Sequence, residues 1–395
     1  MKSSIRNVTT IPSYDAIVVG GGLHGCCTAL HLAKKRLSVL VIEKNTVGRH
    51  ASGVNAGGVR RLVRDVAELP LSMAAMDRWF DLESLLGPEL ASTCHFIGDV
   101  GQIGVAGDAG EMAWCEKRVA ETHSLGYDFE ELLDREQLRK LLPGVSNMAV
   151  GGIIARRDGH ANPARTTRAF RLRAGQFGTE FEEGVRVTGL QQSGSNWVVE
   201  TSAGPRRAKV IVNCGGAWAD QFARLAGDEI PCEAVGYTLM VTARLPRFID
   251  TVVVGIDRTL SFKQTESGTI VIGGGVPAIV DMPNETSVTV ADRMVESATT
   301  VLDFFPQLRN APIVRTWGGI EALTPDLIPV IAPSKASAGI WHAFGFSGHG
   351  FQLGPIVGSV LADLIVDGKS DFSIEAFSPT RFSSEVVVGP ASNLN

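Results

Sequence analysis

The 395-residue sequence predicts a mixed α/β chain whose second part is α+β in character. One domain sits on a largely parallel sheet assembled from discontinuous segments, and the other on an antiparallel sheet. Three observations point there. A buried strand–helix–strand unit opens the chain, a strand-rich block with a hairpin signal fills the middle, and strand–glycine–helix junctions return near residues 212 and 345. The expected division is 14–85, 150–227 and 326–380 for the first domain, with 86–149 and 228–325 for the second.

Residues 15–20 (DAIVVG) and 38–42 (SVLVI) read as short strands buried on both faces. Between them LHGCCTALHLAKKR spaces small and apolar residues as a helix does. Leu69, Met73, Met76 and Phe80 step by four, three and four, which predicts an amphipathic helix. From 86 to 150 glycine turns alternate with the charged helical stretch WCEKRVAETHSLG. Strands resume at GVRVTGL, NWVVET and AKVIVNCGG, then at VGYTLMVTARL, TVVVGI, TLSFKQT and TIVIGGG, with TESGT as a hairpin turn. A helix over 291–305 precedes a proline. The strand GIWHAFGF then leads through a glycine turn to FQLGPIVGSVLADLIVDG, a helix closed by glycine.

A hydrophobic content of 44% with 20% charged residues describes a globular chain with a sizeable core. A net charge of −5 makes no global case for nucleic acid or an anionic membrane. The six cysteines form no CxxC pair, so they read as reduced, mostly buried thiols of a cytoplasmic protein, and no metal site is expected. The opening MKSSIRNVTTIPSYD lacks the apolar core of a leader, and no window approaches about 18 uninterrupted apolar residues. Peripheral association with the inner membrane stays open.

The first chemical motif is GGGLHG at 20–25. Gly20 permits the tight turn, Gly22 admits a pyrophosphate to the backbone, and Gly25 lets helix meet strand, while Leu23 and His24 begin the helix. Glu43 ends the second strand, where a carboxylate receives ribose hydroxyls, and Lys44 follows it. This is a Rossmann-like dinucleotide site; a glycine turn that binds nothing is the alternative, which the strand, helix and acid in sequence oppose. Four further features separate FAD from NAD. GRHASGVNAGGVRR at 48–61 offers Arg49, His50, Ala51, Ser52, Asn55, Gly57 and Gly58 to cover a flavin dinucleotide. VNCGGAWAD at 212–220 brings Gly215, Gly216 and Trp218 to the cofactor, and EGVRV sets Val185 against the adenine. GFSGHGFQLGP at 345–355 (Phe346, Ser347, Gly348, His349, Gly350, Phe351, Gln352) aims a helix N-terminus at the edge where reduced flavin carries negative charge.

With these residues the chain resembles the D-amino-acid-oxidase-like superfamily of FAD-dependent amine and amino-acid oxidoreductases, over residues 14–368. In motif style it is similar to the flavin subunits of D-hydroxyproline dehydrogenases and opine oxidases, and to sarcosine oxidases. The resemblance implies oxidation of a neutral secondary amine, with hydride passing to flavin N5 and an imine as product. It implies a small amino-acid substrate, with heteromeric partner subunits or a quinone as electron acceptor. His50 stands where some relatives bond the flavin covalently; a non-covalent imidazole beside the ring is the expectation. The cysteine that others use for this purpose is replaced by Gly319, which joins the cofactor set. Arg61 or Arg64, on the helix expected after the loop, would grip the substrate carboxylate. Glu321 replaces a carboxylate-binding arginine and would face a substrate ammonium or hydroxyl, or pair internally with Arg315. His349 is expected near the flavin pyrimidine or substrate, and Tyr237 on the substrate sheet. Gln352 replaces a lysine of sarcosine oxidases. An oxygen-activating lysine on the strand matching TIVIGGG has only apolar counterparts here, which favours a dehydrogenase. Alternatives are an opine or N-alkyl-glycine oxidase subunit, and a flavin-binding assembly or electron-transfer subunit without its own substrate.

Overall fold

The computed structural model describes residues 11–382; most of the stretch read above for a leader lies outside them. The opening unit forms as its pattern dictates: strand Ser13–Val19, helix Leu23–Lys34, strand Val39–Glu43. The two strands are parallel, with Ala16 opposite Val39 and Val19 opposite Ile42. On its other side the first strand pairs in parallel with Arg206–Asn213, which pairs in parallel with Ile340–Phe344. Glu180–Glu183 extends the sheet beyond Val39–Glu43, and Val330–Pro333 closes the other end antiparallel.

Both faces of this sheet are covered. Ala16 and Val18 face one apolar core with the helices, Ile17 and Leu40 another with Trp197 and Phe222. Helix Leu23–Lys34 runs alongside helix Gly350–Asp367, and glycines set how closely. A methyl at Gly354 would stand 2.6 Å from the Leu23 side chain, and one at Gly358 2.5 Å from the Cys27 backbone. The paired steps 23 to 27 and 354 to 358 make the helices parallel, with both N-termini at the same end. The second helix is long and apolar enough to cross a membrane (mean hydropathy 1.3), yet 67% of it is buried inside the fold. It is a core helix. The described cysteines are free thiols, buried except for the half-buried Cys232.

The second sheet is ten-stranded and mostly antiparallel, with one parallel pair between Val252–Gly255 and Gln102–Ala106. Period-two alternation sorts its side chains. Ile103, Val253, Phe262 and Ile272 enter a core with Val301 and Phe304 of the helix Ala291–Phe304. Gln102, Val252, Lys263 and Val271 face the other way, toward the first domain. The TESGT turn joins Ser261–Gln264 to Ile270–Gly273 as a hairpin.

Three expectations are corrected. GVRVTGL is not one strand: the chain turns at Gly184 (φ +75°) between Glu180–Glu183 and Val187–Ser193, because the first belongs to the parallel sheet and the second to an attached meander. Residues Gly151–Ala155 pair with Gln102–Ala106 and Glu131–Asp134, so they belong to the second sheet and not to a first-domain segment starting at 150. Arg61 and Arg64 precede the helix, which begins at Leu69 with Pro70 in its first turn. Before it the chain makes a short strand Gly58–Val59, a turn with Val63 at φ +57°, and a single 3-10 turn capped by Asp65.

Candidate active site

A cavity of ≈590 Å³ opens at the C-terminal ends of the parallel strands, where Val19, Ile42, Cys214 and Phe344 line it. Its opposite wall is the inner face of the second sheet. Ligands of open α/β sheets bind at this place, where the strand order reverses.

At one end the glycine turn is fully specified by contacts. Gly20 (φ +107°) leaves no room for a side chain, since a methyl would fall 2.3 Å from the Cys214 carbonyl. A methyl at Gly25 would collide with Gly20 O at 1.9 Å. Gly22 faces the cavity, and Ser52 Oγ receives the Leu23 N–H at 2.9 Å beside it. Glu43 accepts from Gly21 N–H at 2.7 Å and Asn45 N–H at 2.8 Å, while Val185 N–H donates to the Glu43 carbonyl at 3.0 Å. Lys44 lies over the Trp218 ring, 3.0 Å from its centroid, and pairs with Glu285 at 2.8 Å. Glu285 also receives Asn45 and Arg186, each at 2.6 Å. Burial draws this carboxyl upward, but those three donors prevail and hold it at about 2.

His24 stacks on Phe346 with centroids 3.6 Å apart, and neither ring nitrogen has a hydrogen-bond partner among the described residues. Burial pushes its pKa down to about 3. His50 precedes a one-turn helix and tilts against Trp218 at 4.6 Å. Burial, then Lys44 and Arg49, bring it to about 4, so it is neutral at physiological pH. Arg49, Ala51, Asn55, Gly57, Gly58, Gly215, Gly216, Gly348, Gly350 and Phe351 complete this lining. Neither helix N-terminus at the cavity carries an acidic residue in its first turn. Glycine cradle, free helix ends and the unpartnered His24 ring fit a dinucleotide with its pyrophosphate on the turn.

The other end is floored by Gln102, Val252, Lys263, Val271 and Leu239, with Tyr237 and Gly319 beside them. Arg60 lines it too, and among the described residues its guanidinium makes a single hydrogen bond, a 3.4 Å contact with Leu62 O. Burial lowers its pKa, opposed by Asp158 and Glu68. Lys263 is 7% exposed, reaches only Ala161 O at 3.4 Å, and is pushed down to about 7 by burial. Glu321 lines the cavity and accepts the Gly348 N–H at 2.7 Å; burial pushes its carboxyl up. Arg315 packs on Trp317 and does not pair with Glu321.

Several predicted residues stand behind the wall instead. Arg61 is sequestered by Asp158, which takes its Nε at 3.1 Å and its backbone N–H at 2.8 Å. Arg64 is 2% exposed, with Nε on Arg60 O at 3.3 Å. His349 turns to Glu68, Nδ1 to Oε2 at 2.9 Å, and burial takes it down to about 4. Gln352 donates to Ser72 O at 2.8 Å and its carbonyl receives Trp79 Nε1, so it fixes one helix on another. Ser347 braces the turn against Thr324. Of the three arginines, Arg60 is the one that lines the cavity. The TIVIGGG strand carries no lysine, but its Val271 is paired with Lys263 on the neighbouring strand, which brings an ammonium to the cavity wall. Gln102 at the head of an otherwise apolar strand, and Lys263 on the strand next to TIVIGGG, were the available signal. Glu285, held by contacts some 240 residues away in sequence, had none.

A parallel sheet with a glycine turn, facing a mixed sheet across a dinucleotide-sized cavity, defines a flavoenzyme of the two-domain amine-oxidising class. The family model described as "FAD dependent oxidoreductase" (DAO) matches residues 15–364, and the chain belongs to that family. FAD is its cofactor, and amines or amino acids are oxidised at the C–N bond. A sarcosine oxidase subunit beta of Rhizobium meliloti (strain 1021) is 28% identical over 384 residues, 94% of this chain and 89% of the relative. A hydrogen cyanide synthase subunit HcnC of Pseudomonas aeruginosa is 26% identical over 94% of this chain and 97% of its own. The structure of an L-proline dehydrogenase from P. horikoshii superposes with a TM-score of 0.86 at 26% identity, covering 95% and 99% of the two chains.

Proposed function

We propose that the chain oxidises a secondary-amine amino acid of proline size, the hydroxyprolines and their D-enantiomers included. The observation that carries this reading is Arg60: a half-buried guanidinium lining the cavity with the floor residues Val252, Val271 and Leu239, whose own contact is a 3.4 Å one to a carbonyl. Such a fork takes a carboxylate in two parallel hydrogen bonds. The likeness to an L-proline dehydrogenase supports a secondary amine at the same place.

Gly20, Gly22 and the N-terminus of Leu23–Lys34 receive the cofactor's pyrophosphate, Glu43 its ribose, and Arg49–Ser52, Asn55, Trp218 and Phe346 its ring side. Bound FAD supplies the acceptor for the hydride leaving the substrate carbon beside nitrogen. Arg60 fixes the carboxylate, and Val252, Val271 and Leu239 exclude water from the ring of the substrate. Arg60 and Lys263 together oppose a second cation, so the amine binds neutral, with a lone pair ready to form the imine. Glu321 holds the Gly348 turn and thereby the end of the site nearest the C-terminal helix.

A heteromer is the favoured assembly. Two relatives are named as subunits, and Ile279 and Val288, paired across one strand pair, are 63% and 58% exposed. The test is anaerobic bleaching of the bound flavin by a panel of proline, hydroxyproline, sarcosine and primary amino acids in both configurations. Rapid bleaching by the cyclic secondary amines is expected. Bleaching by primary amino acids alone overturns the reading.

A further inference from the structure

Gln102 is 1% exposed yet borders the cavity. Its partners in register are Val252 on one side and Ala155 on the other, and neither side chain offers a polar atom. Its Oε1 has no hydrogen-bond partner among the described residues. Leaving such an acceptor unpaired forfeits the hydration it would have in water, a penalty that leucine at the same position would avoid. The polar group is therefore retained for something that enters the cavity.

Lys263 projects from the same face. Val252 stands opposite Gln102, and the pairing of Val253 with Phe262 sets Val252 opposite Lys263. The two residues thus share one row of the sheet, two strands and about 10 Å apart at the backbone, within reach of two long side chains that converge on one ligand atom. The Gly57–Gly58 turn lies over both. A methyl at Gly57 would stand 3.0 Å from Lys263 Nζ, and one at Gly58 3.9 Å from Gln102 Oε1. The row holds an acceptor without a donor beside a donor whose best acceptor is 3.4 Å away. A hydroxyl satisfies both, donating to Gln102 and accepting from Lys263. A methylene satisfies neither.

We propose that Gln102 is a specificity-determining residue that selects amino acids carrying a hydroxyl on the carbon chain. The inference rests on the reading above for the substrate class, and its test does not require turnover. The FAD-loaded protein is titrated with tetrahydrofuran-2-carboxylate, which has no amine to oxidise, and with its 4-hydroxy derivatives, following the perturbation of flavin absorbance. A 4-hydroxy derivative is expected to bind about tenfold tighter or better. Gln102→Leu is expected to bring the two within about twofold while flavin content is unchanged. Gln102→Asn, which keeps the amide but withdraws it, is expected to do the same and guards against a folding defect in the leucine variant. Equal affinity in the parent protein, no spectral change with any of these ligands, or a preference that survives in both variants overturns the proposal. Failure of all cyclic secondary amines to bleach the flavin would remove the oxidation reading and leave this preference standing on its own.

Discussion

The two ends of the cavity follow opposite rules. At the nucleotide end Glu43 accepts two backbone N–H groups, Lys44 is ion-paired with Glu285, and glycines stand where a methyl would collide. His24 is the exception there. At the substrate end the buried Gln102 and Lys263 and the half-buried Arg60 stand among apolar side chains with weak or absent protein partners among the described residues. A prepaired end provides shape, whereas an underpaired end keeps its hydrogen bonds for whatever enters. Polar satisfaction thus separates the part that holds a permanent cofactor from the part that discriminates a transient ligand.

Substitutions should respect that boundary. The largest effect belongs to Gly22→Val, which fills the cavity beside Ser52 Oγ and should abolish flavin binding; a fully yellow purified variant would break the assignment of the two ends. Next, Arg60→Met should lower kcat/KM by about 10²–10³ with flavin content intact, the loss of a bidentate carboxylate contact. Arg61→Met tests the wall behind: it strands Asp158 and should cost about 3–5 kcal/mol of stability, read by denaturant melting. If Arg61→Met instead raised KM in a normally stable protein, the two arginines would have to exchange roles.

A pH dependence should belong to the substrate end. Lys263 is cationic below about pH 7 and neutral above it, because burial lowers its pKa. A cation there opposes the positive charge left on the substrate when hydride departs from a neutral amine, so the ratio of flavin-bleaching rates, parent over Lys263→Met, should rise as pH rises through about 7. A flat ratio between pH 6 and 8 would detach Lys263 from the chemistry. The smallest effect is expected at Glu285, whose hairpin tip ties the second sheet to Lys44, Asn45 and Arg186. Glu285→Gln should speed flavin release less than tenfold, measured by exchange into excess cofactor, with substrate kinetics unchanged.

The parallel-sheet unit was legible because its signals are local: a buried run, three spaced glycines and an acid at the strand end all fall within thirty residues. The loop after it was legible as part of the same cavity for the same reason. The substrate end was not. Which of Arg60, Arg61 and Arg64 faces inward is decided by Asp158, 97 residues beyond Arg61. Lys263 and Gln102 become neighbours only through sheet register. Gln352 sits in the glycine turn motif, but its helix rotates it onto Ser72 and Trp79.

The parallel run of helices Leu23–Lys34 and Gly350–Asp367 has a consequence for the chain's life without cofactor. Two helix N-termini held side by side, with no acid in either first turn, bring like partial charges together. A bound pyrophosphate relieves that repulsion, so folding and loading are thermodynamically linked. Each tenfold rise of free FAD above its dissociation constant adds about 1.4 kcal/mol to the folded state. Flavin supply in the cell would then set the steady-state abundance of the protein, since the unloaded form opens more often and meets proteases sooner.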